Sequence, residues 1–554
     1  MRKIKFLLLA IILSACSCEI SGQTTLDFLA QGSAYDKAAN TNASLQQVIG
    51  CFGDSWEKGT AHQFSSTSPD KGPEPSYSSS AYYYSSSTIT EFANSDLPNA
   101  TYGSWWPTWA DLYYKVTSRK AVITNMGAGG SEFYPNGDNN NWYTSGTLYA
   151  AAVAEINAAM AAVGVSQPRM LHISCGINDA RGAQSLANIE SAIYSLVTRL
   201  QADFPGAPII FNKIPDISTA DPARTLAING YIQNCTTLYS NVHIATDLGQ
   251  FEYYIDAPTD LLHLKQIGNE LVGAKMIKDM RDKGLIANKP ITRTYTSTVN
   301  AVINSMPVTP TERERRFICD MVSYLDRKSY WTNLASFYWM DMANENNSKQ
   351  DWIRSSKTLN KGSGATWVSG KGFQTDGTIT GALGTNFIPS TDEVSPNISP
   401  GNCFFFTWID TVYTSGLGTV MGAIGSTSSN QILITQKSDN SVEYSTNSAT
   451  VTQAASSVVA SNGGMAAGKV STSAQTLLTT FEMTTINGTS ANTTAYPDRE
   501  IYLGALNNNG TIQQPFSGVF KCFFVSPGVT SVTPTHIYKK IRELRNALYY
   551  GLYD

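Results

Sequence analysis

At 554 residues the chain is far longer than one typical domain, so two domains are expected. Only 15 % of the residues are charged, the formal net charge is −4, and no basic block occurs, which argues against a nucleic-acid partner. Abundant Ser, Thr, Asn, Gly and Tyr with so few charges suits an extracellular protein that handles neutral polar polymers.

The chain opens with Arg2, Lys3 and Lys5, then an apolar run from Phe6 to Leu13, shorter than the roughly 20 residues a membrane span needs. Leu13-Ser14-Ala15-Cys16 follows, small residues just ahead of a Cys. This resembles the lipobox of bacterial lipoproteins. The resemblance implies a signal peptide at 1–15, cleavage before Cys16, lipid on that Cys and a tether at 16–44. Such a protein sits in the bacterial cell envelope and meets the membrane through its lipid anchor only. The alternative is a secretory signal cut at a nearby small residue; either way the chain leaves the cytoplasm.

Cys51, Cys175, Cys235, Cys319, Cys403 and Cys522 are scattered through mostly apolar runs, with no CxxC pair and no Cys/His metal spacing. They read as buried free thiols, with no metal site expected. A disulfide between Cys403 and Cys522 stays open.

Apolar strands then alternate with periodic helices. Val48 to Phe52, Ala121 to Thr124, Met170 to Cys175, Pro208 to Phe211 and Val242 to Ala245 read as strands. Between them lie the Ala-rich stretch Leu148 to Val163 and the one-sided pattern Leu186, Ile189, Ile193, Leu196, Leu200. Repeated strand-helix-strand predicts a parallel α/β sheet covered on both faces, with chemistry at the carboxyl ends of its strands. Polar clusters stand at those ends: Gly53-Asp54-Ser55, then Asn125-Met126-Gly127-Ala128-Gly129-Gly130-Ser131, then Gly176-Ile177-Asn178-Asp179. Asp260-Leu261-Leu262-His263 comes after the last strand, and a helix is expected from about Lys265.

These four blocks, with Trp106-Pro107 opening a helix before the second strand, resemble the SGNH (GDSL-type) hydrolases over about Leu45 to Leu285. The resemblance implies a flavodoxin-like three-layer hydrolase domain at 45–285 and a serine carboxylic-ester hydrolase that needs no metal or cofactor. There are two departures. Leu264 stands where the family has Pro after the His, and a Ser/Tyr-rich insertion, Ala61 to Gly103, follows the first block.

A hydroxyl is a poor nucleophile at neutral pH, so Ser55 needs a base. Of the five His (His62, His172, His243, His263 and His536) only His263 has an acid at the family's spacing, Asp260, which would orient and stabilise the imidazole. Asp256 is a rival acid further upstream. The resemblance assigns the oxyanion hole to the backbone N–H groups of Ser55 and Gly130 and the side-chain amide of Asn178. Asp54 and Asp179 read as braces of their turns. The Gly run lacks both the phosphate-loop Lys and the dinucleotide spacing.

Ala128-Gly129-Gly130-Ser131 followed by a long polar loop is similar to the carbohydrate O-acetylesterase branch, which implies an acylated glycan as substrate, acetyl first. Trp142, Tyr143 and Tyr82-Tyr83-Tyr84 are suited either to stack on sugar rings or to pack the loops. Two rival functions remain at this level: a lipid or aryl esterase on the same site, and a non-catalytic surface adhesin that binds glycan.

Ile286 to Glu312 has weak periodicity and reads as a linker. A helix from Arg313 to Leu325 opens a β-rich region at 313–554. Strands are expected at Cys403 to Ile409, Gln431 to Gln436, Leu477 to Met483, Glu500 to Ala505 and Gly518 to Val525, and a helix at Thr535 to Leu548. Short strands with Asn and Gly turns argue a β-sandwich. Ile501 to Ala505 and Phe516-Ser517-Gly518 are similar to concanavalin A-like (laminin G-like) jelly rolls.

Overall fold

A computed structural model describes residues 46–54, 81–85, 87–92, 104–124, 126–135, 140–254, 264, 266–288, 291–392, 398–412, 418–426, 430–437, 441–448, 451–454, 463–471, 474–479, 484–489, 495–527 and 532–553. The chain divides into two compact units, the first including Lys71–Thr292 and the second Arg293–Leu548.

Eight strands build the first unit's sheet: β1 (Gln46–Gly53), β2 (Ala81–Ser85), β3 (Thr88–Glu91), β4 (Lys120–Thr124), β5 (Met126–Gly127), β6 (Met170–Ser174), β7 (Ile209–Lys213) and β8 (Val242–Asp247). Their order is β3-β2-β4-β1-β6-β7-β8, with β5 also on β1. Only β2 and β3 pair antiparallel. The helices are α1 (Trp106–Thr117), α2 (Leu148–Val163), α3 (Ile177–Arg181), α4 (Leu186–Asp203), α5 (Pro222–Leu238) and α6 (Gln266–Asp282). Leaving the insertion aside, β4-β1-β6-β7-β8 is the doubly wound order 2-1-3-4-5, whose switch point falls between β1 and β6.

The sheet is covered on both faces, which is why β1 is buried from Gln47 to Gly53 rather than alternating. Neighbouring register positions show the two faces. A Cβ on Gly50 would stand 2.6 Å from Ile156 of α2 and 2.8 Å from Leu171, so this side of the sheet meets α2 closely. His172, the next residue along β6, faces the other way, its ring 5.1 Å from that of Trp106 at the start of α1. Asn212 on β7 shares that side and reaches Met276 of α6. Ser185 caps α4 by accepting the Asn188 N–H, and Asp221 caps α5 ahead of Pro222.

Two features were not visible in the periodicity. The Tyr run in the insertion is β2, pairing Tyr82, Tyr83 and Tyr84 with Val122, Ile123 and Thr124 and so widening the sheet. The stretch read as a linker carries a nine-residue helix, α7 (Ser297–Ser305), capped by Thr296. Two buried residues, Val299 and Val302, are too few to leave a periodic signal.

The second unit is a two-sheet β-sandwich, antiparallel except where 422–424 pairs parallel with 506–508. One sheet runs, by residue ranges, 360–361, 383–384, 502–503, 418–424, 431–436, 442–446 and 452–454. The other runs 366–368, 372–374, 518–526, 403–412, 463–471, 474–479 and 484–489. Phe405, Ile409, Phe520 and Phe523 join Val420, Ile432 and Ile434 in one core. The alternate residues are buried too. Phe406 stacks on Phe524 at 4.5 Å, and Arg545 of the helix Val532–Tyr549 lies 5.1 Å from the Trp408 ring. That double burial explains the apolar run Cys403 to Ile409, interrupted only by the buried Thr407.

The same alternation answers the disulfide question. Cys403 belongs to the core between the sheets, whereas Cys522 pairs in register with Trp408, five positions along that strand. At about 3.3 Å per residue the two sulfurs are far beyond bridging distance. Both are free and buried, as are Cys51, Cys175, Cys235 and Cys319. The strand expected at Glu500 to Ala505 is seen only as Tyr502–Leu503; Gly504 follows with a φ of 74°, and a separate strand, Leu506–Asn508, comes after it. The expected strand Leu477 to Met483 is seen as Ala474–Thr479.

The helix expected from Arg313 is α8 (Glu312–Arg327), opened by a Thr311/Glu314 capping box. Among the described residues no helix is long and apolar enough to cross a membrane, and no cluster of three or more His, Cys, Asp or Glu could hold a metal ion.

Candidate active site at the switch point

β1 delivers the first polar cluster. Gly53 is its last residue and Asp54 the next, buried, with its backbone N–H donating to Ser174 O of β6 at 3.0 Å. Ser55 itself, with Asp260, His263, Asp256, Asn125 and Cys16, lies outside the described residues.

The second cluster folds back onto the end of β1. Ala128 N–H donates to Gly53 O at 2.9 Å, and the Ser131 hydroxyl donates to the same oxygen at 3.0 Å. Gly130 sits at the exposed tip between them, with a φ of 77°, where glycine carries no Cβ strain. The Asn140 amide holds the neighbouring Gly129 O at 3.1 Å.

The third cluster leaves β6 through Gly176, whose φ of 118° turns the chain sharply into the short helix α3. A Cβ there would press on Phe133 at 3.1 Å and Ile228 at 3.2 Å. Asn178 follows in the first turn, and its amide nitrogen donates to Ser131 O at 3.0 Å. Three consecutive hydrogen-bonded links therefore tie the ends of β1, β5 and β6 together at the switch point: Asn178 to Ser131, Ser131 to Gly53, and Asp54 to Ser174. Two of them pass through Ser131.

Asp179 braces its turn. It is 0 % exposed, and its carboxylate accepts the Phe133 N–H at 2.9 Å and the Tyr134 N–H at 3.3 Å. Burial pushes its carboxyl up to about 7, against the pull of those two N–H donors and with help from Glu132. Burial also pushes the Cys175 thiol up, and Asp54, Asp179 and Glu132 add to the effect, so three acids share this region.

Trp142 is 1 % exposed. Its indole N–H donates to Ser131 Oγ at 3.2 Å, and its ring meets Phe52 edge-on at 5.6 Å. Its ring faces are covered by protein, whereas Tyr143 keeps accessible surface beside Tyr134 at 5.1 Å, as do Tyr82 and Tyr83 of β2; Tyr84 is buried.

Two arginines that carried no sequence signal complete the frame. Arg224 of α5 clamps Asp179 O through Nε at 3.2 Å and a terminal nitrogen at 2.9 Å. Arg199 of α4 donates to Trp142 O and lies 4.0 Å from the Tyr149 ring. Asp221-Pro222 marks the start of α5 and was the one readable hint that a helix stood there.

No protein-family model matches the chain, and no curated protein matches it. Among solved structures, one similar chain is a protein from Arabidopsis thaliana, 15 % identical over 43 % of this chain and 99 % of that one, with a TM-score of 0.34. Another is a carbohydrate acetylesterase from Sinorhizobium meliloti, 14 % identical over 43 % of this chain and 100 % of that one, at a TM-score of 0.28. The CBM40 of a Ruminococcus gnavus IT-sialidase, bound to α2,3-sialyllactose, is 11 % identical over 32 % of this chain and 95 % of that one, at 0.23.

Proposed function

We propose that the first unit is a serine esterase of the SGNH type that removes O-acyl groups, acetyl first, from carbohydrate. In this reading His263, oriented by Asp260, takes the Ser55 proton as Ser55 Oγ attacks the ester carbonyl. The tetrahedral oxyanion accepts from the N–H groups of Ser55 and Gly130 and from Asn178 Nδ2. Collapse breaks the bond to the sugar oxygen, which leaves as the hydroxyl by taking the proton from His263. Water, activated by the same His263, then releases the acyl group from Ser55. No metal or cofactor takes part.

The observation that carries the reading is the linkage Asn178–Ser131–Gly53 at the β1/β6 switch point, where doubly wound sheets bind their ligands. An amide has two N–H donors. Asn178 uses one on Ser131 O, which fixes its plane and leaves the other for a developing oxyanion. Among the described residues none accepts from the Gly130 N–H, which suits the same task.

A fluorophosphonate should label the full chain once, at Ser55, by peptide mass mapping. The labelled protein should lose acetate release from acetylated xylan, and no fatty acid should appear from phosphatidylcholine at any stage. Labelling elsewhere, or fatty-acid release alone, would replace this reading with a lipid esterase or remove the enzyme altogether. The lipid anchor at Cys16 is a separate proposal, supported by the basic start and the Leu13-Ser14-Ala15-Cys16 pattern. Cys16→Ser should abolish palmitate incorporation in a bacterial host; labelling that persists would reject it.

A further inference from the structure

The second unit holds a groove of about 570 Å³ at one end of its larger sheet. The strand register explains how it forms. Asn360 pairs with Gly384, and Gly384 with Tyr502, so the three stand in one row across three strands. The next row is Lys361, Leu383 and Leu503, and both leucines lie in the core between the sheets. By strand alternation the row of Asn360 and Tyr502 faces outward. Its central position carries no side chain, and the space above Gly384 is taken by the Glu500 carboxyl, 2.5 Å from where a Cβ would stand. Glu500 is itself held there by accepting the Asn386 backbone N–H.

The lining combines two chemistries. Ile379 is 52 % exposed, a large apolar side chain left open to solvent, and Ile512 and the Tyr502 ring continue that surface. Asn360, Ser363 and Thr511 supply an amide and two hydroxyls, none of which is engaged by another described side chain or backbone group. Lys361 is the sole charged lining residue, and Glu345 neutralises it at 2.9 Å.

We propose that this groove binds a neutral oligosaccharide. A pyranose presents apolar C–H faces and a rim of hydroxyls. Tyr502 and Ile379 suit the faces, while Asn360, Ser363 and Thr511 suit the rim. A fatty chain would bury that amide and those hydroxyls without partners, which is costly. An anionic ligand would have to compete with Glu345 for Lys361. The groove's size falls within the usual range of small-ligand pockets, about 300–1,000 Å³. The inference stands apart from the esterase reading. Where both hold, carbohydrate bound here raises the effective concentration of polymer around the chain without altering the chemistry.

The test is calorimetric titration of the full chain carrying Ser55→Ala, so that nothing is turned over. The probes are xylohexaose, cellohexaose, mannohexaose and, as the charged counterpart, hexagalacturonate. At least one neutral hexasaccharide should bind with a Kd between about 10 μM and 1 mM, and hexagalacturonate should not. Tyr502→Ala and Ile379→Ser should each weaken that binding at least about tenfold, with the melting temperature of Ile379→Ser unchanged because its side chain is exposed. The proposal is overturned if no neutral probe binds at millimolar concentration, if hexagalacturonate binds more tightly, or if binding survives both substitutions. Since the titration needs no catalysis, failure of the esterase reading would leave its outcome unaffected, and the reverse also holds.

Discussion

Asn178 donates one amide hydrogen to Ser131 O and keeps the other, so its proposed work is on charge that develops during reaction rather than on ground-state binding. Asn178→Ala should lower kcat about 10²- to 10³-fold with KM nearly constant. A raised KM at constant kcat would make Asn178 a binding residue. Asp179 gives a pH signature of its own. Its carboxyl, raised to about 7, binds a proton in the folded protein over a range where the unfolded chain, near the ordinary value of 3.8, has released it. Its contribution to stability is therefore full below about pH 4 and is lost as pH climbs to about 7. Asp179→Asn does not titrate there. The wild-type melting temperature relative to this variant should fall between pH 4 and pH 7, and a difference that stays flat or grows would contradict the raised value.

At the scale of elements, the turn from β6 into α3 is where one backbone angle positions chemistry. Gly176→Ala would force a non-glycine residue to φ 118° and press a Cβ on Phe133 and Ile228. It should cost about 1–3 kcal/mol of stability by denaturant titration, and a neutral result would show that the turn relaxes freely. The opposite dependence on acid belongs to β8. Burial, with Lys283 second, lowers the His243 imidazole to about 4, so the folded protein resists a proton that the unfolded chain accepts near 6.5. That contribution is present above pH 6.5 and lost as pH falls towards 4. His243→Gln should therefore narrow the loss of stability on acidification, and an unchanged acid profile would argue against it.

These elements also show what the sequence does and does not disclose. The parallel strands were legible because each is a short apolar run closed by a polar cluster, and burial on two faces makes such runs. The sites at their ends were legible because turn chemistry is local: Gly176 and Asn178 are read within four residues. β2, α7 and the strand end before Gly504 were not. β2 is a strand only because β4 offers an edge, and α7 has two buried residues to announce it. Whether Trp142 stacks on sugar or packs was open in sequence, since it turns on Phe52, far along the chain, and on how the loop folds back to Ser131.

On the scale of the whole molecule, two units of different architecture share a weakly charged chain, net −4. That agrees with a neutral polymer as the shared partner in both proposals. The central claim remains the nucleophile at the end of β1. The most direct measurement is acetate released from acetylated xylan by the full chain and by Ser55→Ala, with circular dichroism and melting temperature compared alongside. The account predicts a folded variant whose turnover is lower by roughly four to six orders of magnitude. A folded Ser55→Ala that releases acetate at the wild-type rate would contradict it.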